Sequence, residues 1–128
     1  MTKPTVGVCV LLERTGVSSA ACLKAFAEIW QRGHTQFWVP PMRVDLARNK
    51  AVEALLASDC THLLMLDCDH RHSPDVVERL TRWMIRDPAK LVISGMSFRR
   101  GPPYDPTVYR VDPDGTVKAF LEWSPGLV

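Results

Sequence analysis

A short apolar run that ends in two aspartates constrains the fold of this chain more than any other feature. His62-Leu63-Leu64-Met65-Leu66 is followed directly by Asp67-Cys68-Asp69. A run this short, bounded by polar residues, is typical of a buried strand in a parallel sheet. Residues two apart on a strand point to the same side, so both carboxylates are expected to project together where the strand ends. Open α/β sheets bind ligands at that edge. Two acids placed there predict a divalent cation with a phosphorylated ligand.

The rest of the chain alternates between strand and helix patterns. Strands are predicted at residues 6–12, 36–39, 61–66 and 91–96, and helices at about 18–32, 45–57 and 73–87. This β-α-β-α-β-α-β order predicts an α/β fold with a mainly parallel central sheet, the first strand in the middle, and helices on both faces.

Capping residues set the expected helix boundaries. Ser18 or Ser19, then Asp45, then Ser73 are expected to begin the three helices. For the second helix, we expect the side chains that face the sheet to be Val52, Leu55 and Leu56.

The C-terminal residues predict a small appendage on one domain that spans residues 1–128. Residues 1–98 are expected to form the βαβαβαβ core, and 99–128 a loop followed by a β-hairpin. The hairpin strands are expected at Val108–Val111 and Val117–Leu121, around a turn that contains Asp-Gly.

Composition narrows the class of protein. A net charge of +2 is too small to indicate nucleic acid as the main partner. No segment approaches the roughly 20 apolar residues of a membrane span. The apolar run at residues 6–12 is short for a secretion signal, so we expect a cytoplasmic protein (or, for a phage-encoded one, the host cytoplasm) with reduced cysteines.

Asp67 and Asp69 are the leading candidates for metal ligands, because Mg²⁺ and Mn²⁺ prefer oxygen ligands and commonly share them with substrate phosphates. His70 is a candidate third ligand, to the metal or to phosphate, whereas His72 is expected at the surface. Structural zinc is not indicated, because the usual ligand spacings are missing.

Arg48 and Asn49 lie near the start of the second predicted helix, where a helix N-terminus and a guanidinium favour an anion. Gly95 lies in the fourth predicted strand, where glycine indicates a close backbone approach or a bulge. The chain contains no P-loop and no dinucleotide fingerprint.

The ordered motifs resemble the family 2 glycosyltransferases of the GT-A fold. The resemblance rests on Ala47-Arg48-Asn49-Lys50-Ala51, on the strand that ends in Asp67-Cys68-Asp69, and on Ser73-Pro74-Asp75. The segment Ile93–Arg100 and residues 103–109 look like the short glycosyltransferase-like proteins of phages and bacteria. The match covers roughly residues 5–110.

The resemblance implies a three-layer α/β/α domain that binds a nucleotide-diphosphate sugar with Mn²⁺ or Mg²⁺ and transfers the sugar to an unknown acceptor. It implies that Asp69 ligates the metal and that Asp67 contacts the ribose or the metal. Arg48, Asn49 and Gly95 would contact the nucleotide-sugar.

Two departures from the family pattern leave other functions open. Val39-Pro40-Pro41-Met42 stands where relatives often carry an acidic segment, and no late acid sits in a recognisable motif for a general base. Asp112 and Glu122 are the weak candidates for that base. One alternative is an inactive binding or assembly module, in which oligomerisation covers an open sheet edge; another is a nucleotidyl- or phosphoryl-transferase.

Overall fold

The computed structural model describes residues 4–14, 19–89, 92–95, 97, 101–103, 107 and 109–119, in two compact units, residues 1–87 and 88–128. The first unit contains β1 (Val6–Leu11), α1 (Ala20–Trp30), β2 (Thr35–Val39), α2 (Val44–Leu56), β3 (His62–Asp67) and α3 (Val76–Arg86). The second contains β4 (Tyr109–Val111) and β5 (Val117–Ala119).

The three strands of the first unit form a parallel sheet in the order β2-β1-β3, which confirms that the first strand is central. Leu11 pairs with Val39 on one side and with Asp67 on the other. The three strands therefore end together, at what we call the carboxyl edge, and begin together at the amino edge.

Helices pack on both faces of this sheet because β1 is apolar on both faces. Val8 and Val10 lie in one buried cluster with Phe26 of α1 and Val77 of α3. The intervening Cys9 and Leu11 lie in a second cluster with Ala47 and Ala51 of α2. Each fully buried large side chain stabilises the fold by roughly 1.5–3 kcal/mol. The predicted α/β architecture is confirmed at this level.

Helix α1 begins and ends as its sequence predicts. The Ser19 hydroxyl accepts a hydrogen bond from the backbone N–H of Cys22 at 3.2 Å and caps the first turn. Gly33 follows the helix with φ +78°, a conformation that glycine adopts without steric cost, and its N–H donates to the Trp30 carbonyl.

Helix α2 packs differently from the prediction. Its buried residues are Ala47 and Ala51, whereas Val52 is 41% and Leu56 80% exposed and Leu55 is half-buried. The small alanines face the sheet, so the larger side chains of Val52 and Leu56 lie on other faces of the helix. Asp45 is not the cap either: it lies inside the first turn.

Helix α3 begins two residues later than predicted, with Asp75 rather than Ser73 at the N-cap position. The Ser73 hydroxyl donates to the Asp75 carboxylate instead of accepting from a helix N–H, while the Ser73 carbonyl accepts from Val76 N–H in the preceding turn. Val77 is its buried residue.

The second unit confirms the predicted hairpin, since β4 and β5 pair antiparallel. The fourth predicted strand is not found in residues 92–95, which lie outside any strand, with Val92 87% exposed. Ser94 and Gly95 have weak strand preference. Leu91 and Met96 lie outside the described residues.

A pair of threonines joins the starts of β1 and β3 at the amino edge. The Thr5 backbone N–H donates to the Thr61 hydroxyl at 3.0 Å, and the Thr61 N–H donates to the Thr5 hydroxyl at 3.1 Å. Among the described residues, no helix has the length and apolar character needed to cross a membrane.

Candidate functional site

A cavity of about 680 Å³ opens at the carboxyl edge of the sheet. Its walls come from all three strand ends and from the first turn of α2: residues 11–14, 41–44, 47–48 and 67–69. The cavity has the volume of a typical small-molecule site. It lies at the edge where the sequence predicts ligand binding.

The three predicted metal ligands lie together. One ligand atom from each of Asp67, Asp69 and His70 lies within 4.8 Å of the other two. The His70 Nδ1 atom is 2.6 Å from Asp69 Oδ1. Two ligands on opposite sides of Mg²⁺ are about 4.2 Å apart, so small side-chain adjustments would fit this cluster to one ion.

The turn after β3 orients the two carboxylates outward because Cys68 between them points inward. The Cys68 side chain is 2% exposed and belongs to the core cluster that contains Leu66 and Val10. Burial raises the pKa of the Cys68 thiol. The cysteine thus anchors the turn as a protonated, apolar group.

His72 fixes the same turn, a role that the sequence prediction of a surface residue missed. Its Nε2 atom lies 3.1 Å from the Asp67 carbonyl oxygen, and its ring packs on Phe26 with 5.6 Å between ring centroids. Burial lowers the pKa of His72, which favours the neutral ring. Because a carbonyl only accepts, Nε2–H must be the donor. No local pattern indicates this role, since Phe26 lies on α1.

Arg48, which the sequence predicts as a site residue, lies beside Asp67 in the cavity. Its Nη2 atom lies 3.8 Å from Asp67 Oδ1, and its Nη1 atom lies 3.4 Å from Met65 Sδ. The α2 N-terminus beside it has no side-chain cap. Asn49 is exposed and does not line the described cavity, because one further residue turns about 100° around the helix.

The remaining predicted site residues belong to the second unit. Gly95 lies outside any strand. The Asp112 carboxylate accepts from Arg110 Nε at 3.1 Å and Lys118 Nζ at 2.7 Å within the hairpin, so two cations neutralise it. Glu122 lies outside the described residues.

Sequence reasoning missed three charged residues of the cavity. Glu13 and Arg14 follow the central strand directly, and Arg43 precedes α2. Their position in the sequence could have identified them, because residues that directly follow the strands of a parallel sheet lie near the same edge. Arg43 is held by Asp45 through hydrogen bonds of 3.2 and 2.9 Å.

Comparisons of the chain with protein-family models, with curated proteins and with solved structures gave no match.

Proposed function

We propose that the carboxyl-edge cavity binds a nucleotide-diphosphate sugar with Mn²⁺ or Mg²⁺. On this proposal the chain is a metal-dependent glycosyltransferase of GT-A type, or the donor-binding core of one. The observation that carries the proposal is the meeting of two opposite kinds of group in one cavity. Asp67 and Asp69 line the cavity together with arginines and an uncapped helix N-terminus.

The acidic residues of the cavity suit a divalent cation. Carboxylate oxygens are the ligands that Mg²⁺ and Mn²⁺ prefer, and an imidazole such as that of His70 is a common ligand of transition metals. When bound there, the ion supplies Lewis-acid stabilisation to the departing diphosphate. Cys68 and His72 hold the turn that presents the two carboxylates.

The basic groups of the cavity suit phosphate. Arg14, Arg43 and Arg48 line the cavity, and the first N–H groups of α2 point along the helix axis toward its start. Guanidinium groups and a helix N-terminus together favour an anion. Arg48 also balances the charge of Asp67, so that phosphate can approach the acids without meeting a net negative wall.

Calorimetry with Mn²⁺ and either UDP-glucose or GDP-mannose tests donor binding. Wild type is expected to bind at least one of them, and Asp69→Asn is expected to weaken binding at least tenfold by removing a charged ligand. Asp59→Asn is the matched control, because Asp59 is exposed and lies outside the cavity. Absence of binding by wild type, or equal binding by Asp69→Asn, would contradict the proposal.

Product analysis separates the proposal from its alternatives. Release of nucleoside diphosphate indicates sugar transfer or hydrolysis. Release of sugar 1-phosphate, with the nucleoside monophosphate passed to an acceptor, indicates a nucleotidyltransferase. Release of nucleoside monophosphate, with the sugar phosphate passed to an acceptor, indicates a transferase of the phosphoryl type. Binding with no product at all, across acceptors, indicates a non-catalytic module.

A further inference from the structure

Two charged groups of the cavity have no partner in the described part of the chain. Asp67 lies near Arg48, Asp69 contacts His70, and Arg43 is held by Asp45. By contrast, neither the Glu13 carboxylate nor the Arg14 guanidinium makes a hydrogen bond or an ion pair with any described residue. The oxygens of Glu13 are therefore available to a ligand.

The order of the strands places Glu13 in the middle of the cavity. The acidic cluster follows β3, Glu13 follows the central strand β1, and the apolar Pro41 and Met42 follow β2. Neighbouring strands lie about 4.8 Å apart. From one strand end to the next, the cavity wall thus changes from the acidic cluster to Glu13 and then to Pro41 and Met42, over two strand spacings or roughly 10 Å. Arg14 lies next to Glu13 in sequence, and Arg43 next to Met42.

A nucleotide has the same order of groups over a similar length. With its diphosphate at the acidic cluster, its ribose lies beside β1 and its base beside β2. Pro41 and Met42 offer an apolar surface to the flat face of a base. At the central position a carboxylate repels phosphate, but its two oxygens can accept hydrogen bonds from two adjacent hydroxyl groups.

We propose that Glu13 binds the 2′,3′-diol of the ribose and so selects ribonucleotides over 2′-deoxyribonucleotides. This inference rests on the proposed function, because the direction of the nucleotide follows from a diphosphate at Asp67 and Asp69. It assigns Asp67 to the metal rather than to the ribose.

The test is calorimetric titration of the full chain, with Mn²⁺ present, against UDP, 2′-deoxy-UDP, GDP and 2′-deoxy-GDP. Wild type is expected to bind each ribonucleotide about tenfold more tightly than its deoxy form, the size of one hydrogen bond to a charged group. In Glu13→Ala that ratio is expected to fall to near one. Glu28→Ala, which changes a half-buried glutamate of α1 outside the cavity, is expected to keep the wild-type ratio.

The outcomes separate this inference from the proposed function. Equal binding of ribo- and deoxyribonucleotides by wild type, or an unchanged ratio in Glu13→Ala, overturns the role of Glu13 and leaves donor binding intact. A loss confined to GDP in Glu13→Ala assigns the carboxylate to the guanine base and also overturns it. Failure of all four nucleotides to bind overturns both proposals. Thermal unfolding of Glu13→Ala checks that the variant is folded.

Discussion

The two ends of the three-stranded sheet each carry a cavity with charged walls, but they use charge in different ways. At the amino edge, Glu78 and His34 are among the residues that line a cavity of about 540 Å³. Glu78 Oε1 lies 3.0 Å from Arg32 Nη1 and 3.5 Å from His34 Nε2, which joins α3 to the residues after α1. At the carboxyl edge, Glu13 and Arg14 have no partner among the described residues.

The difference indicates that one end stabilises the fold and the other is available to a ligand. Paired charges at the amino edge tie elements together. Unpaired charges at the carboxyl edge are solvated, and a ligand can take the place of that water. Substitutions at the two ends should therefore separate stability from binding.

Gly7→Ala is expected to have the largest effect on stability, because it disturbs the strand that both ends share. A Cβ atom at Gly7 would lie too close to the ring of Phe37, at 2.3 Å from Cε2. We expect a loss of about 1–3 kcal/mol in the free energy of unfolding, as for overpacked cores. Urea denaturation measures it, and adding Phe37→Leu should restore part of the loss. An unchanged unfolding midpoint would contradict this prediction.

His72→Phe sharpens the comparison by changing the carboxyl edge without emptying the core. Phenylalanine keeps the packing on Phe26 but cannot donate to the Asp67 carbonyl. We expect metal affinity to fall about 10–100-fold, as for other losses of ligand support, with a small change in stability. Titration with Mn²⁺ followed by electron paramagnetic resonance measures the affinity. Unchanged affinity would show that the Asp67 turn does not depend on His72.

Arg48→Gln and Arg32→Gln form a matched pair at the two ends. Arg48→Gln is expected to weaken binding of Mn²⁺ with UDP about tenfold, the loss of one charge-assisted contact, with little effect on stability. Arg32→Gln is expected to lower stability by up to about 1 kcal/mol, since its ion pair is partly exposed, and to leave binding unchanged. Calorimetry measures binding and urea denaturation measures stability in both variants. A loss of binding in Arg32→Gln would contradict the separation of stability from binding.

The smallest expected effect is a pH dependence of the free energy of unfolding, which arises from Glu78 at the amino edge. Burial alone would raise the pKa of Glu78, but hydrogen bonds from its own backbone N–H and from Arg32 outweigh burial and hold the pKa below its usual value. Its stabilising contribution is therefore present above about pH 4.3 and is lost as pH falls through the lowered pKa. We expect less than about 1 kcal/mol because the side chain is partly exposed.

Urea denaturation at a series of pH values between 7 and 3 measures this loss. Glu78→Gln should flatten the acid limb of the curve, whereas Glu53→Gln on α2 serves as the control. An acid limb that is the same in Glu78→Gln and wild type would contradict the assignment.

Local sequence patterns predicted the parts of the fold that depend on neighbours in the chain. Helix α1 begins after Ser19 and ends before Gly33, as expected, because capping involves residues only a few positions apart. The apolar run before Asp67 gave β3 and the position of the acids. The same reasoning brought Asp67, Asp69 and His70 together correctly.

The parts that sequence did not predict depend on contacts between distant segments. Helix α2 packs on the sheet through the small residues Ala47 and Ala51, although Val52 and Leu56 are larger and more apolar. His72 was assigned to the surface because Phe26, on which it packs, is distant in sequence. Glu13 carries no local motif, and its place at the centre of the cavity follows only when the central position of β1 is combined with the position of Glu13 just after that strand.

The hydrogen bonds between Thr5 and Thr61 have a consequence for how this chain folds. They join residues 56 positions apart and fix which residues of β1 and β3 face each other. Closing a loop of that length costs about 3–4 kcal/mol of chain entropy. A slip of one residue would turn Asp67 and Asp69 to the other face. The arrangement of the Asp67, Asp69 and His70 side chains at the carboxyl edge therefore depends on the register that the threonine pair fixes at the amino edge.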